Sequence, residues 1–180
     1  MVVSFGCYHP ISISTDRLSF SEIKSCFTKI ASDPDCRSII LAGNGKHFCA
    51  GIDLFDFKAS FDAFSEESSD VARRAFKVRE LVSNYQQCLS EIENCRKPVI
   101  AAIHGFCIGG AIDMISSADV RYCTEDANFH IKEADLGLAA DTGTIQRLSK
   151  AIGNHSLFRE LVYTARPFDS TVATTLGMVR

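Results

Sequence analysis

Two aliphatic runs constrain this chain more than any other feature: Arg37 to Ala42 (RSIILA) and Val99 to Ile103 (VIAAI). Each is followed by a glycine-containing loop, Ala50-Gly51-Ile52-Asp53 after the first and Ile108-Gly109-Gly110-Ala111 after the second. Short β-branched runs of this kind read as buried strands, and a glycine at a strand end lets the backbone approach a neighbour that a side chain would block. Val71 to Glu93, which lies between them, carries apolar residues at Val71, Ala75, Val78, Val82, Tyr85, Leu89 and Ile92 with charges between, the pattern of a long amphipathic helix. Strand, loop and helix in alternation predict an α/β domain.

The remaining elements follow the same logic. Ser21 to Ala31 repeats apolar positions at Ile23, Phe27 and Ile30 behind a capping serine, which predicts a helix stopped by Asp33-Pro34-Asp35. Lys97-Pro98 ends the long helix, and Gly109-Gly110 opens a short helix that is apolar nearly all round. Val120 to Cys123 and Asn128 to Ile131 read as strands, and Thr142 to Ala151 and Ser156 to Thr164 as helices. Lys58 to Asp70 shows no clean period and is expected to be a surface connection. The chain divides into an atypical N-terminal segment, 1–18, and one core, 19–180.

At 180 residues a single domain of this size buries roughly 70% of the surface its unfolded chain exposes, so a substantial core is available. A net charge of -3 with no dense Lys/Arg run argues against a nucleic-acid partner. The eight cysteines (Cys7, Cys26, Cys36, Cys49, Cys88, Cys95, Cys107, Cys123) stand singly, with neither C-x-x-C pairs nor a His at ligand spacing. That spacing predicts no metal site and no disulfide framework, and points to a reducing compartment. No apolar run approaches the roughly 20 residues of a membrane span, so no membrane insertion is expected. The opening MVVSFGCYHP has neither signal-peptide nor transit-peptide character.

Chemistry concentrates around the two loops. Side by side they could aim two N–H donors at one oxygen, as an oxyanion hole does, although glycine after a strand also makes a plain turn. Asp113 sits in a helix with too few polar positions for a solvated face, and an ionised carboxylate there needs a partner, catalysis or a bond to a neighbouring loop being the alternatives. Glu133 and Asp141 bracket the Gly/Ala-rich turn Ala134 to Ala140. Each has a plain alternative, a solvated Glu beside Lys132 and an N-cap Asp before Thr142. Three carboxylates near two such loops suit the transfer of a proton from one carbon to another. His47 and His104 lack a nucleophile or second ligand and read as structural, while Lys46 and Lys132 are candidate phosphate contacts.

Three runs in order, FCAGIDL (Phe48 to Leu54), KPVIAAIHGFCIGGAIDM (Lys97 to Met114) and KEADLGLAADTGTIQRL (Lys132 to Leu148), resemble the signatures of the crotonase (enoyl-CoA hydratase/isomerase) superfamily. The resemblance covers roughly Phe20 to Val179. It implies a spiral of ββα units in which the N–H groups of Ile52 and Gly110 hold the thioester oxygen of an acyl-CoA. Gly51, Ile52, Asp53, Leu54, Phe55, Gly110 and Ala111 would contact the substrate. Asp113, Glu133 and an added Asp141 resemble the pattern of the Δ3,5-Δ2,4-dienoyl-CoA isomerase branch. There Glu133 and Asp141 would shuttle a proton between C2 and C6 while Asp113 supports the site.

By the same resemblance the process is fatty acid β-oxidation in the mitochondrial matrix or peroxisome. No metal or other cofactor is required, coenzyme A being part of the substrate, and the assembly is a homotrimer or hexamer. Three departures from the family pattern stand out. Its opening hairpin is expected to be missing from Met1 to Leu18, the chain ends before the family's C-terminal helices, and Ala111 replaces a common third glycine. Enoyl-CoA hydratase activity and a non-catalytic chain that only associates with full-length subunits remain the alternatives.

Overall fold

The computed structural model describes the backbone of residues 2–4, 7–9 and 17–19, and residues 20–52 and 70–180 in full. The expected connection from Lys58 onward, apart from Asp70, lies outside the described residues, as do Asp53, Leu54 and Phe55.

A five-stranded sheet runs in the order β2-β1-β3-β4-β6, with β1 at Val2–Ser4, β2 at Cys7–His9, β3 at Ile39–Ala42, β4 at Val99–Ile103 and β6 at Val120–Cys123. β3, β4 and β6 are parallel, with Ile39 opposite Val99 and Ile100 opposite Val120. β1 and β2 form an antiparallel pair, and β1 also pairs antiparallel with β3. This corrects the expectation of a missing opening hairpin. The hairpin is present, made of three-residue strands whose place is fixed by β3, thirty-odd residues on, rather than by a recognisable local turn.

A second, three-stranded sheet has the order β5-β7-β8, with β5 at Phe106–Ile108, β7 at Asn128–His130 and β8 at Phe168–Asp169. Cys49 bridges Cys107 in parallel, so the first glycine loop begins as an extra strand position beside β5. The chain therefore visits the two sheets alternately: β3 then Cys49, β4 then β5, β6 then β7. A strand of each sheet followed by a helix or turn is the repeating unit of a ββα spiral, as expected from the sequence.

Three helices frame this spiral. α1 (Arg17–Ser32) starts before the predicted Ser21, which lies within the helix, and buries Phe20, Ile23 and Phe27 on one face. α2 spans Val71–Glu93 with Asp70 as N-cap, its side chain accepting from the Arg73 N–H at 3.0 Å. Its packed stripe is Leu81, Tyr85, Leu89 and Ile92, and Tyr85 stacks on Phe20 at 4.6 Å. The first turns of α2 do not pack as the periodicity suggests, leaving Val71 73% exposed and Ala75 exposed as well. α3 (Gly110–Ser116) is buried from Ala111 through Ser116 and lies at the centre of the core.

The C-terminal third adds a 3-10 turn at Glu133–Leu136, a π-helical turn at Thr144–Leu148 running into α4 (Ser149–Ala151), then α5 (His155–Thr164) and α6 (Ser170–Leu176). The expected helix from Thr142 is thus replaced over its first half by a wide turn, because Thr144 is drawn inward to Asp113. Side-chain caps start both later helices: Asn154 accepts from Leu157 N–H and Asp169 from Val172 N–H.

Candidate active site

The two glycine loops meet. Gly51 has φ 102°, and its Cα faces Ile108, whose carbonyl oxygen would lie 3.4 Å from an added Cβ. A Cβ on Gly110 would stand 3.7 Å from the Ile52 methyl, which places these two residues side by side. The pairing is built by the Cys49 bridge: Cys49 N–H donates to Phe106 O at 3.0 Å and Ile108 N–H to Cys49 O at 3.1 Å. Gly109, at φ 55°, turns the chain from β5 into α3, and its N–H donates to His130 O at 2.9 Å. Gly110 is the first residue of α3, where an N–H has no acceptor within the helix. Ala111 is fully buried in the core.

Three acidic residues surround this junction. Asp113, 3% exposed on α3, accepts both the N–H and the hydroxyl of Thr144 on its Oδ1, at 2.6 and 2.7 Å. Burial raises its pKa, opposed by the Thr144 bonds; the Asp141 charge adds to the rise and Arg147 offsets part of it. Glu133 opens the 3-10 turn, and its Oε1 would lie 3.5 Å from a Cβ on Gly109. Its Oε2 is buried and meets no hydrogen-bond donor among the described residues. Burial first, then the charge of Asp113 and more weakly that of Asp141, push the Glu133 carboxyl up to about 7, against opposing backbone N–H bonds. The charges of Asp113 and of the solvent-exposed Asp141 thus both act on Glu133.

Two residues absent from the sequence-based site complete its framework. Thr144 has no exposed surface, and it satisfies the buried carboxylate that the sequence marked as needing a partner. Gly143 lets the loop reach it, since a Cβ there would stand 3.0 Å from Asp113 O and 3.1 Å from Ser116 Oγ. The run Asp141-Thr142-Gly143-Thr144 carried a signal for this, a hydroxyl next to a glycine just downstream of an orphan-prone Asp. Arg147 was also missed. It bonds Glu93 at 2.7 Å and Ser90 at 3.0 Å on α2.

His47 and His104 both bond neighbouring backbone. His47 Nδ1 accepts from Phe106 N–H at 3.2 Å while its ring stacks on Phe106, and His104 Nε2 donates to Gly45 O at 2.9 Å. Lys132 pairs with Asp135. Among the described residues there is no metal-binding cluster and no disulfide. Burial drives the Cys107 thiol well up, which makes it a packing residue rather than a nucleophile. No described helix is long and apolar enough to cross a membrane.

A spiral of paired strands that presents two glycine loops to a set of carboxylates defines a known class. The enoyl-CoA hydratase/isomerase family profile matches residues 14–180, and the chain belongs to that family. It is 51% identical over 164 residues to the mitochondrial Δ(3,5)-Δ(2,4)-dienoyl-CoA isomerase of Rattus norvegicus, a match covering 91% of this chain and 50% of the relative. The peroxisomal enzyme of the same name from Arabidopsis thaliana is 46% identical, covering 89% of this chain and 57% of the relative. A crystal structure of enoyl-CoA hydratase from Bacillus anthracis superimposes with a TM-score of 0.75 at 30% identity, covering 93% of this chain and 59% of that one. The chain spans about half the length of the curated relatives it matches.

Proposed function

We propose that this chain isomerises 3,5-dienoyl-CoA to 2,4-dienoyl-CoA. The observation that carries the reading is the gathering of three carboxylates at the paired Ile52 and Gly110 loops: Glu133 beside Gly109, Asp113 buried on α3, and Asp141 on the turn that Thr144 fastens to Asp113. A hydratase needs carboxylates to activate one water at one double bond. A third carboxylate serves a reaction in which a proton leaves one end of a conjugated system and arrives at the other.

The N–H groups of Ile52 and Gly110 receive the thioester oxygen and stabilise the enolate that forms on it. Glu133, whose Oε1 lies beside Gly109, takes the proton from C2. Electrons move through the diene, Asp141 in its protonated form delivers a proton to C6, and proton exchange with solvent then returns Glu133 to the ionised form and Asp141 to the protonated one. Asp113 holds the Thr144 turn and sets the local charge. Coenzyme A enters as part of the substrate, with contacts from Gly51, Ile52 and Gly110. The named relatives act in mitochondria and peroxisomes, and we assign this chain to the same compartments and to the oxidation of unsaturated acyl chains.

The test is a purified chain mixed with a 3,5-dienoyl-CoA while the absorbance of the 2,4-dienoyl product is followed. Growth of that absorbance is expected, falling on the order of a hundredfold in Glu133→Gln and in Asp141→Asn. No growth with the unmutated chain overturns catalysis and favours a chain that only associates with other subunits. Hydration of a 2-enoyl-CoA without isomerisation favours the hydratase.

A further inference from the structure

The polar face of α2 has a use that solvation does not explain. Gln86, Ser90 and Glu93 stand at positions i, i+4 and i+7, one stripe of the helix, bordering the apolar stripe of Leu81, Leu89 and Ile92. Every one of the three bonds the segment that carries Asp141. Gln86 Nε2 donates to the Asp141 carbonyl at 2.7 Å, while Ser90 Oγ and Glu93 Oε2 accept from Arg147. The Asp141 carbonyl also accepts from the Gln146 side-chain amide, so both of its lone pairs are held by amide groups, one local and one from 55 residues away. Arg147 closes the other end of the segment, its guanidinium also reaching Thr142 O at 3.4 Å.

We propose that Gln86 is a positioning residue: it holds the backbone of Asp141, through the polar stripe of α2, at the place from which the carboxylate serves the substrate. The inference rests on the isomerase reading for its catalytic half. Asp141 is exposed, so its range is limited by the hydrogen bonds to its own carbonyl together with the Thr144 bonds that fasten the turn to Asp113. A displacement of about 1 Å of a reacting group is enough to lower turnover up to a hundredfold. The Gln86 amide touches neither the loops nor the other two carboxylates in any described contact, so its effect on the reaction must pass through Asp141.

Gln86→Met keeps an unbranched side chain and helix propensity while removing the donor. Two readouts separate positioning from mere packing. Amide hydrogen exchange in the full chain is expected to quicken over 141–148 and stay unchanged in α2. Turnover of 3,5-dienoyl-CoA is expected to drop about tenfold with KM within about twofold, and the same substitution placed on Asp141→Asn is expected to add less than about twofold. Unchanged exchange over 141–148 overturns the brace. A full tenfold loss on the Asp141→Asn background, or no loss in the single variant, overturns the positioning role while the isomerase reading stands. If Asp141→Asn itself keeps full activity, or the unmutated chain has none, the isomerase reading fails and the positioning role with it, whereas the exchange result still decides whether the brace exists.

Discussion

Thr144 gives both of its hydrogen bonds to one oxygen of Asp113, its N–H at 2.6 Å and its hydroxyl at 2.7 Å, inside a core where Thr144 itself has no exposed surface. The two residues are 31 positions apart, and this contact fastens the turn bearing Asp141 to the central helix. Replacing Thr144 with Val keeps the shape and leaves a buried carboxylate short of one donor. The expected loss is about 1–3 kcal/mol at neutral pH, read as a lower urea midpoint. Thr144→Ser, which keeps the hydroxyl, is expected to lose less. The hydroxyl bond is one of the influences that lower the raised Asp113 pKa, so its removal raises that value further. A raised carboxyl contributes stability that is fully present at low pH and lost as pH rises through its folded value. The gap between Thr144→Val and the unmutated chain is therefore expected to narrow as pH falls and Asp113 takes up its proton.

Glu133 sets a second pH dependence. Its carboxyl moves from the ordinary 4.5 to about 7, chiefly through burial. Folding therefore takes up a proton between those values, and the stability linked to this group is complete below 4.5 and disappears as pH rises through about 7. As the base at C2 it works only when ionised. The rising limb of the rate with 3,5-dienoyl-CoA, set by ionisation of Glu133, is expected to end at about 7. A profile measured between pH 5 and pH 9 checks this, and a falling limb across about 7 would instead make Glu133 the acid.

Gly143 and Gly153 form a matched pair for testing the fit of the turn. A Cβ at Gly143 meets Asp113 O at 3.0 Å and both Ser116 Oγ and Arg147 at 3.1 Å, whereas one at Gly153 meets nothing within 4 Å. Gly143→Ala must push the turn off α3 and is expected to destabilise by about 1–3 kcal/mol. It should also weaken activity, since the displaced turn carries Asp141. Gly153→Ala is expected to be near neutral in thermal unfolding.

What the sequence could reveal was set by how local each cause is. Val71 to Glu93 and Val99 to Ile103 were legible to the residue because periodicity and Lys97-Pro98 act within a few positions. The hairpin at the N-terminus was not, because three-residue strands acquire their pairing from β3 rather than from their own pattern. Asp113 announced itself as a buried charge requiring a partner, yet which residue answers depends on how α3 meets the 141–144 turn. Gln86 is one of the polar positions of an amphipathic helix and carries no local signal of its own. Only the tertiary fold shows that its stripe faces a loop 55 residues downstream.

The ion pair of Arg147 and Glu93 is expected to be lopsided. The Arg147 side chain is 14% exposed and that of Glu93 55%, so the partners sit in different dielectric surroundings at a separation of 2.7 Å. Glu93→Gln leaves Arg147 with Ser90, Thr142 O and an amide oxygen as acceptors, and the solvent-facing carboxylate it removes was already screened. The expected cost is under about 0.5 kcal/mol. Arg147→Met removes every tie at that end of the turn and the cation that offsets the raised pKa of Asp113. Its expected cost is about 1–3 kcal/mol, from hydrogen bonds of a largely buried charged group, and it should persist at high salt where a surface attraction would be screened. Urea midpoints of both variants at low and high ionic strength check the asymmetry. Equal losses that vanish together in salt would reduce the pair to a surface attraction and leave the Arg147 end of the turn without its anchor on α2.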